Sequence, residues 1–142
     1  MVDSTLLAAK IAAARDATAR VRAVLPASAD AFVGDRTTRE IVTLNLFVAI
    51  QACVDLATHW LADAGWDVPG SYADTFAALA KHGVVPAELA TRLAAAAAFR
   101  NLVAHQYGAL DWRRVYALAA VDLGDVDRFC ATLAERHAAN RE

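Results

Sequence analysis

Residues Ala94–Gly108 read AAAAAFRNLVAHQYG: five alanines, then a run in which an Arg, an Asn, a His and a Tyr fall within eight residues. Ala has the highest intrinsic helix propensity, and Gly is the commonest helix stop. The stretch therefore predicts a helix that closes at Gly108. Chemically able side chains are gathered in its last two turns.

Working outward, no segment alternates apolar and polar residues as a half-buried strand does, and β-branched residues are scattered among Ala and Leu. The punctuation fits about five helices. The first runs from about Asp3 to Leu25 and stops before Pro26. The second spans roughly Asp35 to Ala64 and is ended by Gly65, with Trp66–Gly70 as a loop. Ser71 caps a third, with Asp74 three residues on as a capping box, and Gly83 stops it. Pro86 suits the first turn of the fourth, which carries the alanine run. Asp111 caps the fifth, which reaches about Ala138. Short loops between long helices imply antiparallel neighbours, hence an all-α, up-down bundle. At 142 residues a single domain over 1–142 is expected, large enough to need no staple.

The hydrophobic share, 58%, lies above the roughly 45–50% of ordinary domains, and much of the excess is Ala. A net charge of -2 argues against a broad electrostatic grip on nucleic acid, so any RNA contact must be local. Cys53 and Cys130 lie in apolar segments and read as reduced core thiols. No charged-then-apolar leader opens the chain, and no apolar run reaches the roughly 20 residues of a membrane span, so a cytoplasmic protein without a membrane partner is expected.

The second helix is apolar nearly all round, from Ile41, Leu44 and Phe47 to Trp60 and Leu61. Such a helix is buried on more than one side, and in a small bundle the simplest second burial surface is a homodimer interface. It also carries one polar stripe. Gln51, Asp55 and His59 follow at four-residue spacing. The stripe is either a solvated face or a lining in which Asp55 orients a His or an Arg.

Arg100, His105 and Tyr107 form the pattern R-x4-H-x-Y. With 12 Arg and four His, R-x4-H arises by chance about one time in three, and the added Tyr lowers this to roughly one in a hundred. Each residue alone is ordinary: a surface cation, a His at a helix C-terminus, a packing ring. Together they supply what RNA cleavage without a metal needs. Arg remains charged and offers five donors to a phosphate gaining charge. His exchanges protons near neutrality. The ribose 2′-hydroxyl is the nucleophile, so DNA would be spared. Residues five apart, however, point about 140° from each other on a straight helix. Either the helix loosens before Gly108 or groups from two protomers converge.

The chain resembles a HepT-type toxin of the HEPN superfamily, the ribonuclease partner of a minimal nucleotidyltransferase antitoxin. The resemblance rests on FRNLVAHQY at 99–107, Asp35–Arg36, IQACVDLATHW at 50–60 and Pro69–Tyr72, and covers roughly residues 30–135. It implies a homodimeric bundle whose two motifs meet in an interface cleft. It also implies a metal-independent endoribonuclease on cellular RNA, tRNA or mRNA. In that reading Arg100 stabilises phosphate charge and His105 is the acid/base group. Asn101 is the polar residue after the motif's Arg, and Asp55 matches an acidic position of the long helix, a pair that would support RNA binding. Tyr107 matches the tyrosine on which the antitoxin places AMP. A bulky anion there would block the cleft and repel RNA. The alternatives are a non-catalytic HEPN binding module, or a subunit presenting substrate to a nucleotidyltransferase. A helical bundle without chemistry is a third. No His and carboxylate cluster has metal-ligand spacing and no Gly-rich phosphate loop is present, so no metal or cofactor is expected.

Overall fold

The structure is a computed structural model that describes residues 2–141. All regular elements among the described residues are helical, as expected. They are α1 (Ser4–Val24), α2 (Ala29–Val33), α3 (Arg36–Asp63), α4 (Tyr72–Lys81) and α5 (Ala87–Gln106), then a 3-10 turn (Tyr107–Ala109), α6 (Trp112–Ala117), a π-helical turn (Leu118–Asp122) and α7 (Leu123–Asn140).

The helix ends fall where the local chemistry puts them. Side chains of Asp3, Asp35, Ser71 and Asp111 each accept from backbone N–H groups of the following turn, satisfying donors the helix leaves open. Gly65 and Gly83 sit at φ 76° and 74°. In both places the next residue's N–H reaches back to the carbonyl five positions earlier, Trp66 to Leu61 and Val84 to Leu79. That closure requires a left-handed residue, which Gly adopts without steric cost.

Two features depart from the expected outline. The segment after Pro26 is not wholly a loop: Ser28 caps the five-residue α2, which buries Phe32 completely. One turn is too short to show a period. The fifth predicted helix is interrupted by the π-helical turn, and Ala119 is buried there.

Helix α3 is the axis of the bundle, with α1, α2, α4, α5 and α7 packed around it. The larger core cluster joins α1, α3, α4, α5 and α7 around Leu56, Leu61, Phe76, Leu93, Phe129 and Leu133. A smaller one, around Phe32, Val42, Leu46 and Val115, closes the end near α2 and α6. Cys53 and Cys130 are both buried and free within the first cluster. A hydrogen bond with Cys130 and burial push the Cys53 thiol up, keeping it protonated. Ser4 Oγ and the buried His137 Nε2, 2.8 Å apart, tie the start of α1 to the end of α7.

By length and composition α3 would pass for a membrane span, although its uncharged run, Ile41 to Val54, stays short of the roughly 20 residues that a span needs. Yet 56% of its most apolar window is buried in the bundle, as befits a central core helix. Burial is not complete on all sides. Leu44 is 62% and Val48 38% exposed, while Ile41 and Phe47 are half-buried, so an apolar stripe of α3 faces outward.

Phe129 is fully buried, edge-on to Phe76 at 5.6 Å between ring centroids. Phe129→Ala removes a large side chain from a packed site and is expected to destabilise the fold by about 3–5 kcal/mol. The urea midpoint measures this, and an unchanged midpoint would show that the core is not packed as described.

Candidate active site

Arg100 leaves α5 half-buried against α3 and α4. Its Nε donates to Gln51 Oε1 at 2.7 Å and its Nη1 to Asn101 Oδ1 at 3.1 Å. Its guanidinium carbon lies over two aromatic rings, 4.9 Å from the Phe47 centroid and 5.4 Å from that of Tyr72. Gln51 in turn donates to Asp55 Oδ1 at 2.9 Å, and Lys10 Nζ donates to Asp55 Oδ2 at 2.8 Å. A continuous polar line thus runs Lys10–Asp55–Gln51–Arg100–Asn101 through the joint of α1, α3 and α5. The small side chains of α5, with Ala90 and Ala97 buried, let it lie close to α3 and bring the line together.

The polar stripe of α3 therefore splits. Gln51 and Asp55 line the joint, with Asp55 reaching Arg100 only through Gln51. His59 is exposed at the stripe's end.

His105 is exposed in the last turn of α5, and no side-chain hydrogen bond or ion pair ties it down among the described residues. The helix stays regular through His105; the backbone leaves helical angles at Gln106 (φ -141°, ψ 45°) and continues as the 3-10 turn Tyr107–Ala109, after the His. The turn before Gly108 does loosen, but too late to swing His105 toward Arg100 within one chain.

Tyr107 opens the 3-10 turn, 44% exposed, its ring edge-on to Trp112 at 5.8 Å. Arg39 lies over the same Trp112 ring, 4.9 Å from its centroid, and donates to the Val33 carbonyl. Arg36, one turn earlier on α3, is held above its ordinary range first by a hydrogen bond to Glu40 and last by the field of the Tyr107 oxygen. Arg39, in the first turn of α3, thus shares the Trp112 ring with Tyr107. A side chain added at Gly108 would meet nothing within 4 Å, so the turn is open to approach.

A hollow of about 710 Å³ lies between α5 and α6 and is lined by Ala95, Phe99, Leu102, Val115 and Leu118 among others. None of Arg100, Asn101, His105 and Tyr107 lines it. Among the described residues, no three His, Cys, Asp or Glu gather as metal ligands.

Several contributors escaped the sequence reading. Phe47 and Tyr72 look like packing residues, and Lys10 lies on a helix that contributes little to the resemblance. The four-residue spacing that marked Asp55 also marked Gln51, but nothing in the sequence pairs it with a residue 49 positions away. Trp112 and Arg39 carried no signal at all.

The all-helical bundle agrees with the HEPN-like fold class that the sequence suggested. The chain belongs to the Ribonuclease HepT-like family, which it matches over residues 14–133. It is 30% identical over 98 residues to the mRNA nuclease HepT of Shewanella oneidensis, covering 69% of this chain and 74% of that protein. Its fold superimposes on the tri-AMPylated Shewanella oneidensis HEPN toxin in complex with MNT antitoxin. There the TM-score is 0.86 at 26% identity, covering 94% of this chain and 99% of that one. The cytosolic protein YutE of Bacillus subtilis, of unknown function, shares the fold at a TM-score of 0.86 and 16% identity, over 98% of this chain and 93% of that one.

Proposed function

We propose that this protein is the toxin of a toxin–antitoxin pair, a homodimeric endoribonuclease that cuts cellular RNA without a metal ion and is silenced by AMP placed on Tyr107. The observation that carries this reading is the state of Arg100. It is fixed by Gln51 and Asn101, yet of its five donors only two are engaged among the described residues. The rest are available to a phosphate, on the same helix end as the unpartnered His105.

In this mechanism His105 takes the proton from the ribose 2′-hydroxyl. The oxygen attacks the adjacent phosphorus, and Arg100 stabilises the charge of the crowded phosphorane. The bond to the 5′ oxygen then breaks, and the proton passes to that departing oxygen. The products are a 2′,3′-cyclic phosphate and a free 5′-hydroxyl. Asn101 and Asp55 support the site, Asn101 by holding Nη1 and Asp55 by fixing Gln51. On a regular α5, Arg100 and His105 point about 140° apart. Their convergence is therefore assigned to two protomers meeting through the outward stripe of Ile41, Leu44 and Val48, with Leu102 on α5 adding to the apolar surface.

The partner is a minimal nucleotidyltransferase antitoxin. The exposed Tyr107 phenol attacks the α-phosphate of ATP, pyrophosphate leaves, and the phenol proton goes to solvent. The relative's AMPylated state in complex with its antitoxin supports this assignment. Co-expression with such an antitoxin is expected to raise the intact mass in steps of one AMP on the Tyr107 peptide, and Tyr107→Phe is expected to abolish the steps. Steps that persist in Tyr107→Phe would place the modification elsewhere.

A further inference from the structure

The arginines of this protein are held by different partners: Arg39 and Arg136 donate to backbone carbonyls, Arg39 also lying over the Trp112 ring, while others pair with acids. Arg22, Arg36, Arg92, Arg113 and Arg128 each pair with a carboxylate. Arg100 has no carboxylate within ion-pair distance among the described residues. It is held by two neutral amide oxygens and two aromatic rings. The nearest acid along the polar line, Asp55, is one residue removed: Gln51 stands between them, and Lys10 takes the carboxylate's other oxygen.

We propose that Gln51, Phe47 and Tyr72 are positioning residues that seat Arg100 without neutralising it, so that its full charge is kept for the phosphate. The inference rests on the ribonuclease reading above and adds three residues to it.

The physical argument has two parts. An unrestrained Arg side chain carries rotamer entropy that would be lost on gripping the phosphate. Aromatic faces within about 6 Å attract a guanidinium through the ring quadrupole, and the amide acceptors set its rotation within the plane. The chain is then ordered before RNA arrives, which is the condition for strong electrostatic stabilisation of a transition state. A carboxylate would order the side chain equally well, but it would cancel the charge that the phosphorane needs. Neutral holders avoid that. Gln51 also couples the seat to the Lys10–Asp55 pair, so the amide's orientation is fixed from behind: Nε2 donates to Asp55 and Oε1 must face Arg100. Tyr72 is placed by Ser71, whose hydroxyl accepts from Asp74 N at 3.1 Å and so caps α4.

The test uses the full-length protein and a single-stranded RNA of mixed sequence. Tyr72→Phe keeps the ring and is expected to cleave within twofold of wild type. Tyr72→Ala is expected to lose about tenfold in kcat with KM within twofold. Gln51→Glu, which changes one atom, is expected to lose at least as much, because its carboxylate pairs with Arg100. A second readout needs no activity. The Arg100 Nε–Hε resonance in a 15N correlation spectrum is expected to carry a ring-current shift in wild type and Tyr72→Phe that moves in Tyr72→Ala. Wild-type cleavage rates in Tyr72→Ala, or a Tyr72→Phe variant as slow as Tyr72→Ala, would overturn the seat. So would an unmoved Arg100 resonance. If wild type itself cleaves no RNA, the ribonuclease reading fails, while the resonance still decides whether Tyr72 seats Arg100.

Discussion

His105→Ala is expected to lower RNA cleavage by roughly 10²–10⁴-fold, the range that a positioned acid/base group contributes. The loss falls on chemistry rather than on folding. His105 is exposed, and no hydrogen bond of its side chain is broken by truncation among the described residues. Thermal unfolding of the variant should therefore match wild type. Arg100→Ala is expected to lose roughly 10²–10³-fold, the scale for removing one preorganised donor to a developing anion. It would also leave Gln51 Oε1 and Asn101 Oδ1 without their donor. Cleavage of one RNA at equal protein concentration is the measurement. If His105→Ala matches wild type, His105 is not the catalytic base, and a binding module becomes the better reading of the fold.

The second large effect concerns assembly. Leu44→Asp combined with Val48→Asp puts two carboxylates on the outward stripe of α3. The fold should tolerate them, since Leu44 is 62% and Val48 38% exposed in the single chain. A dimer closed through that stripe would not. An isologous contact repeats each charge on the facing subunit, and unpaired charges shut away from water cost several kcal/mol. Dimerisation is expected to weaken by about 10³-fold or more, and cleavage to disappear with it. Sedimentation at micromolar concentration reads the first effect directly. A wild-type protein that sediments as a monomer would end the dimer proposal. A double-Asp variant that stays dimeric would move the interface to another face.

Subunit mixing tests whether the site is shared. Arg100→Ala and His105→Ala are each expected to keep at most about a hundredth of the activity alone. If Arg100 works with the partner subunit's His105, a mixed dimer regains one intact pair. With random pairing half the dimers are mixed and half of their pairs are intact, so about a quarter of wild-type activity should return. If each chain used its own Arg and His, every site would remain defective and nothing would return.

Much of the fold was legible because the signals that set it are short-range. A cap acts over three residues and a glycine stop over five, and Ser71, Asp111, Gly65 and Gly83 act where they were expected to. Helix α2 and the π-helical turn were not legible. One turn has no period, and a π turn arises from packing along the helix, with Ala119 and Leu123 drawn into the smaller core. The motif showed that Arg100, Asn101, His105 and Tyr107 share a helix end. Helical geometry alone set Arg100 and His105 apart.

What surrounds Arg100 belongs to the tertiary structure. Gln51 lies 49 positions away, and Lys10 lies 45 from Asp55. Contacts at such separations depend on how α1, α3, α4 and α5 pack, and no local pattern encodes them. The sequence by itself determined the long helices, most of their ends and the residues able to do chemistry. Only the packing decided that Arg100 rests on amides and rings instead of a carboxylate, because Gln51 stands between it and Asp55.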